Sequence, residues 1–521
     1  MINLEKIIKK LEELATTKTY LWVANLFLVF VLILFFNVNR LPFDNMGDFL
    51  FFSFIILAFG LYRPSWGFLV FVGAVVLENV NLAPAGIGIN VRPYQLFGVL
   101  IVLAVGIKHF SNRLNFELLK MKWYDWAIIV FVASGFLSSL GSANKGLAIK
   151  QSIIIGSFAL LYFLTRTFAR NMKDLKKMAP FFFGSSFLVV LYAIWQNWMF
   201  QRGVSHFEVM PGRANATFSE PDWLGAFLVF VSALFLVIVF EVRKRKNLFL
   251  SACSWAFLLF TFSALILTVA RSAWLGAATV VGLFLVFVLM DVESGKVTFR
   301  WKRFLDHGLF VFSALFVSVL VVNVFNLTNF ELGGRATSTT SGLQEITIAC
   351  DSENPSVPEV IAVVKDLDGY GCKHINLEEI EQFEEKGIFV GKVQRKDPNV
   401  GIRARIYEQS WIEIRKNPIL GIGWGNISEI LGRDERGAGL NSSNIFLEVW
   451  LGAGILGLVS FLVIVGNVFW RGAEALRRNE KVTGMIFILG VSAILIPNMF
   501  NAGIMLGFVW VFLGITGLEE E

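Results

Sequence analysis

Long apolar runs separated by short polar connections dominate the chain. Taking about 17 to 25 apolar residues per hydrocarbon crossing, membrane helices are predicted over 20–38, 49–62, 66–80, 94–107, 124–140, 147–162, 179–200, 223–240, 248–270, 273–290, 309–325, 445–469, 482–499 and 502–513. The pair 66–80 and 94–107 is the flexible part of this reading, because the APAGIG stretch from Ala83 can instead shape a re-entrant dip among other helices. Ahead of the first run, residues 1–19 carry charge throughout, with Ile7, Ile8, Leu11 and Leu14 on one helical face. That pattern predicts a cytoplasmic interfacial amphipathic helix rather than a cleaved leader. The one long polar interval, 326–444, separates a first bundle segment (20–325) from a last one (445–521). The expected fold is therefore an all-α polytopic membrane protein with about 12 to 14 transmembrane helices and a small α/β insert in one loop.

Composition agrees: 55% of the 521 residues are hydrophobic and 17% charged, which excludes a soluble globular chain. A net charge of +6 would suit a nucleic-acid binder if it formed one patch. It does not. One alternating set of connections holds 26 Lys and Arg, the opposite short connections hold seven, and the long loop holds 13. The asymmetry predicts cytoplasmic termini, an extracytoplasmic long loop and no nucleic-acid partner.

Within that loop, Ile346, Ile348 and Cys350 alternate as in a strand, 388–393 reads as a second strand, and Asn376 caps the helical LEEIEQFEEK with Gly387 as its stop. An α/β insert over about 344–400 is expected, followed by a surface helix over about 403–416. The helix presents Ile406, Tyr407, Ser410, Trp411 and Ile414 on one face and ends before Pro418. Cys350 and Cys372 both lie in the loop. A bridge between them persists only outside the cytoplasm and would contribute roughly 3 kcal/mol; the competing reading is two small buried thiols.

Four histidines with no metal-ligand spacing argue against zinc. Asp366 and Asp368 precede a Gly as in an ordinary turn, and no GxSxG elbow exists. GIGWGN from Gly421 lacks the spacing of a nucleotide loop and reads as a tight turn, with Gly423 and Gly425 letting backbone approach a neighbour or substrate closely. What remains are arginines at the outer face: Arg213, Arg271, Arg403 and Arg405. Each alone could be an interfacial side chain reaching for water. Together they argue for an anion, since several guanidinium forks in a water-poor pocket hold a diphosphate without a metal. A lipid-linked sugar diphosphate fits that chemistry.

Four segments carry a family resemblance: RANATFSEPDWLGAF from Arg213, TVARSAWLG from Thr268, NPILGIGWGN from Asn417 and SSNIFLEVWLGAGILG from Ser442. With them the chain resembles the O-antigen ligase and O-antigen polymerase family of bacterial membrane glycosyltransferases. The resemblance spans roughly 213–458 and implies transfer of a glycan from undecaprenyl diphosphate to an acceptor hydroxyl on the outer side of the bacterial inner membrane, with no nucleotide, metal or other cofactor. It further implies that Arg271, in RxxxL with Leu275, and Arg213 bind the diphosphate and stabilise its leaving charge, with Arg403 beside them. Arg405, Asp222, Glu220, Ser443, Asn444, Gly423 and Gly425 join the expected substrate-binding set.

The chain departs from the family at one position. Ligases of the family carry HisAsn where Ser443 and Asn444 stand, the His being the proposed base. Glu448 is the leading substitute, with Asp222, Glu220 and His206 behind it. Two other readings compete: a transporter or flippase, and a non-catalytic family member. Few charged residues lie inside the spans and no internal repeat is visible, which count against a transporter.

Overall fold

The computed structural model describes residues 17–204, 207–293, 296–328, 342–351, 357–362, 364–375, 380–396, 398–433, 437 and 439–518. Most of the predicted N-terminal interfacial helix, His206 and the Asn376 cap lie outside the described residues. The chain is an all-α polytopic membrane fold. In order, its helices are α1 (Thr17–Asn37), α2 (Met46–Tyr62), α3 (Pro64–Ala74), α4 (Pro93–Phe110), α5 (Trp123–Ser138), α6 (Lys145–Phe168), α7 (Met172–Phe200), α8 (Pro221–Lys244), α9 (Leu248–Leu267), α10 (Arg271–Leu289) and α11 (Trp301–Val324). After the insert come α12 (Ile380–Glu384), α13 (Pro398–Lys416), α14 (Ile427–Leu431), α15 (Ile445–Arg477), α16 (Lys481–Asn498) and α17 (Gly507–Ile515).

Every predicted apolar run contains a helix, but among the described residues ten are long and apolar enough to cross a membrane. The others are shortened: α2, α3 and α5 hold 17, 11 and 16 residues and α17 nine. For α3 and α17 the reason is local. Helix α3 stops at Ala74, and the following Val75–Ala83 stretch is buried except at Asn79 and Asn81, which are half-buried, without being helical. Such backbone survives only if protein satisfies it. Here the Asn79 amide donates to the Thr217 carbonyl at 2.7 Å, the Thr217 hydroxyl to the Val76 carbonyl at 2.5 Å, and the Leu82 amide to the Val91 carbonyl at 2.9 Å. Glu78, buried in this stretch, pairs with Arg92 at 2.8 Å and accepts the Gly507 amide at the start of α17. The two broken segments thus brace each other.

Helix α8 is the central one: 83% of its span is buried, against 28% in α1. Its start is set by Pro221 at the first position and Asp222 in the first turn, its end by Arg243 and Lys244 against the negative end of the helix dipole. Asparagine side chains cap α2, α6, α7, α9 and α15, each accepting first-turn amides. Around α8 pack α9, α10 and α16; α15 lies between α5 and α16, and α17 fills the space against α6.

A hairpin, β1 (Met290–Glu293) with β2 (Lys296–Phe299), links α10 to α11. The insert is a four-stranded sheet of β3 (Leu343–Cys350), β4 (Val360–Ile361), β5 (Cys372–His374) and β6 (Phe389–Lys396), in the order β4-β6-β3-β5. β3 is antiparallel to both neighbours and β4 runs parallel to β6. Ile346, Ile348, Ile361, Leu367 and Val393 form its own small core. Cys350 and Cys372 stand directly opposite each other on β3 and β5 and are joined in a disulfide. Denatured, unreduced protein should therefore expose one maleimide-reactive thiol, Cys253, and three after reduction; three without reduction would refute the bridge. Closing this loop is worth about 3 kcal/mol to the insert.

Candidate functional site

The segment before α8 is held rigidly. The Ala216 amide donates to the Gln196 side chain at 2.7 Å, and Asn215 links the Val209 amide to the Phe218 carbonyl, with 214–218 buried throughout. This sets Arg213 against the turn that ends α9. Its Nε donates to the Thr268 carbonyl at 2.9 Å, its terminal nitrogen pairs with Asp222 at 3.3 Å, and the next amide, Ala214, bonds the Leu267 carbonyl. Asp222 is thus engaged as the partner of an arginine. Glu220, half-buried, sits at the N-cap position of α8.

From Thr268 the chain makes a tight turn, with Val269 at φ 52°, and Arg271 opens α10 half-buried. Leu275, one turn on, is exposed. The hydroxyl of Ser272 receives the Asn501 amide at 3.1 Å. Asn501 belongs to the connection between α16 and α17, and that connection touches two further candidates. The Met499 carbonyl accepts the Asn444 side-chain amide at 3.2 Å, and the Arg403 guanidinium lies 5.8 Å from the centre of the Phe500 ring. Residues 268–272, 403, 444 and 499–501 therefore meet at one end of the bundle, the end that carries the insert, and Arg213 is fastened to the same place through Thr268.

Beside them, Asn444 caps α15 through the Phe446 and Leu447 amides. Ser443 sits at φ 50° with its carbonyl bonded by the Tyr407 hydroxyl of α13 at 3.2 Å. Glu448, half-buried, accepts the Ser442 amide at 2.8 Å. Arg405 is exposed on α13, away from these contacts.

Gly423 and Gly425 turn toward protein rather than an open cleft. A side chain at Gly423 would strike Ser142 and one at Gly425 would strike Leu147 and Gln151. Between them Trp424 is fully buried, with Gly135 and Gly452 leaving room for its ring. The turn is a wedge that fixes α15 against α5 and α6.

The sequence reading missed Phe500 and Asn501, taken as a bare connection between two spans. Their signal was present: two asparagines, Asn498 and Asn501, interrupt an apolar stretch that has no structural need of them in lipid.

A family model described as O-antigen ligase matches residues 255–462. The matched stretch runs from α9 into α15 and includes Arg271, Arg403, the Trp424 wedge and the Ser443–Glu448 turn; Arg213 and the 499–501 connection lie outside it. No curated protein matches the chain. On this match, which covers less than half of the chain but most of the candidate site, the segment from α9 into α15 is similar to the O-antigen ligase family.

Proposed function

We propose that this protein is a membrane glycosyltransferase that moves a glycan from undecaprenyl diphosphate to an acceptor hydroxyl on the outer side of the bacterial inner membrane, with both termini cytoplasmic and no metal. The observation that carries the reading is the meeting of Ser272, the residue after Arg271, with Arg403 and Asn444 on the α16–α17 connection, and Arg213 fastened to the Thr268 turn that leads into it. Guanidinium groups gathered there suit a diphosphate, whose charge rises as the glycosidic bond breaks. In the transfer, the acceptor oxygen bonds to the anomeric carbon, the bond from that carbon to the phosphate oxygen breaks, and its electron pair leaves with the lipid diphosphate. The acceptor proton passes to a base, for which we assign Glu448: it faces the turn that replaces the family HisAsn pair and is held there by the Ser442 amide. A disulfide in the insert and the concentration of Lys and Arg in the alternate connections both support the orientation.

The test is transfer by the purified full chain from a polyprenyl-diphosphate-linked glycan to an acceptor glycan or lipid, read by mass spectrometry. Product is expected with wild type, and a loss of about 10²–10⁴-fold with Glu448→Gln. Lipid-linked glycan moving across vesicles without any product would replace this reading with a flippase. Full activity in Glu448→Gln alone would remove the base and leave the transferase standing.

A further inference from the structure

At the end opposite the insert, the last turns of α8 and α15 and the first turns of α7 and α16 part around a cavity of about 1060 Å3. That is as large as the upper end of ordinary small-molecule sites, about 1,000 Å3. Its depth is apolar, walled by Phe182, Phe230 and Phe512, whose rings pack 5.3 to 6.0 Å apart. Its mouth is basic. Lys176, Lys244, Arg245, Arg471, Arg478 and Lys481 line it, against Glu241, Glu474 and Glu480.

The charges do not cancel locally. Lys244 pairs with Glu241 and Arg478 with Glu474, Lys481 turns to Asp291, and Arg471 is committed to the Tyr124 hydroxyl and the Leu518 carbonyl. Lys176 and Arg245 are exposed at the rim and make no ion pair among the described residues. None of these groups belongs to the proposed transfer site, which lies at the other ends of α8 and α15. A deep apolar chamber with surplus cations at its rim is complementary to one kind of molecule, an amphiphile with hydrocarbon chains and an anionic phosphate head.

We propose that this cavity binds an anionic glycerophospholipid of the adjoining leaflet, its acyl chains against Phe182, Phe230 and Phe512 and its phosphate at Lys176 and Arg245. A zwitterionic lipid would fill the chamber without using the surplus charge. Free phosphate would use the charge and leave the chamber unfilled. The inference does not depend on the transferase reading.

Native mass spectrometry of the full chain, taken from vesicles of equal phosphatidylglycerol and phosphatidylethanolamine, tests it. Phosphatidylglycerol should be retained preferentially and survive an excess of inorganic phosphate. Lys176→Gln with Arg245→Gln should lower its retention by about thirtyfold, the factor that two leaflet-facing cations supply. Because both side chains are exposed, thermal unfolding of this double variant should match wild type. Ala179→Trp, which fills part of the cavity wall, should lose both lipids. Equal retention of the two lipids, displacement by phosphate, a bound polyprenyl phosphate instead, or undiminished phosphatidylglycerol in the double variant would each overturn the proposal.

Discussion

Arg271→Ala is expected to lower glycan transfer by about 10²–10³-fold while leaving expression and thermal unfolding close to wild type. The size of the effect follows from where the charge sits. Arg271 is the first residue of α10, whose N-cap residue Ala270 offers no side-chain acceptor, so the positive end of the helix adds to the positive charge carried at this position. A diphosphate that gains charge as it leaves draws more from both in the transition state than in the ground state, so the loss should fall mainly on kcat. Arg271→Lys keeps a charge but loses the planar fork and should recover only part of the activity. Thermal unfolding of the purified variant, measured beside transfer, separates lost chemistry from lost folding. Normal transfer by correctly inserted Arg271→Ala would remove the main support for the proposed chemistry.

How much of this was visible in the sequence differs by level. Helix positions were legible because lipid forces every spanning segment to satisfy its own backbone, and each predicted run contains a helix. The lengths of α3 and α17 were not, because their ends are decided by tertiary partners: the Thr217 hydroxyl bonding Val76, and Glu78 accepting the Gly507 amide from a segment more than 400 residues away. Within the insert the alternation at Ile346, Ile348 and Cys350 gave β3, while β4, two residues long, left no pattern to read. In the candidate site the arginines were legible because charge near hydrocarbon demands an explanation. What no linear reading shows is which of them share a neighbourhood. That is set by Asn501, Phe500 and Asn444, ordinary residues whose importance lies in what they touch.

The Gly-rich turn brings its backbone against α15, and α15 yields to it. Helix α15 is broken at Gly454, with φ 65° and ψ −171°, a combination essentially reserved for glycine. At the break the regular bond from the Ile455 amide to the Leu451 carbonyl is exchanged. Ile455 donates to the Ile419 carbonyl at 3.2 Å, and Leu451 accepts the Ile422 and Gly423 amides at 2.7 and 3.2 Å. The 419–423 segment is thus stitched into the helix like an extra partner. A Cβ on Gly454 would lie 2.0 Å from the Ile419 carbonyl oxygen, a backbone atom that cannot turn aside. Gly454→Ala should therefore cost on the order of 5 kcal/mol, from the strained backbone and the lost bonds together, and be recovered poorly or with a sharply lowered Tm. Gly466→Ala is the matching control, since it lies in the same helix with open space around it and should be neutral or stabilising by about 1 kcal/mol. Equal Tm values for the two variants would mean that α15 runs unbroken. Its first turns, with Glu448 and the Asn444 cap, would then leave the direction the break gives them, and the assignment of Glu448 as base would lose its geometry along with them.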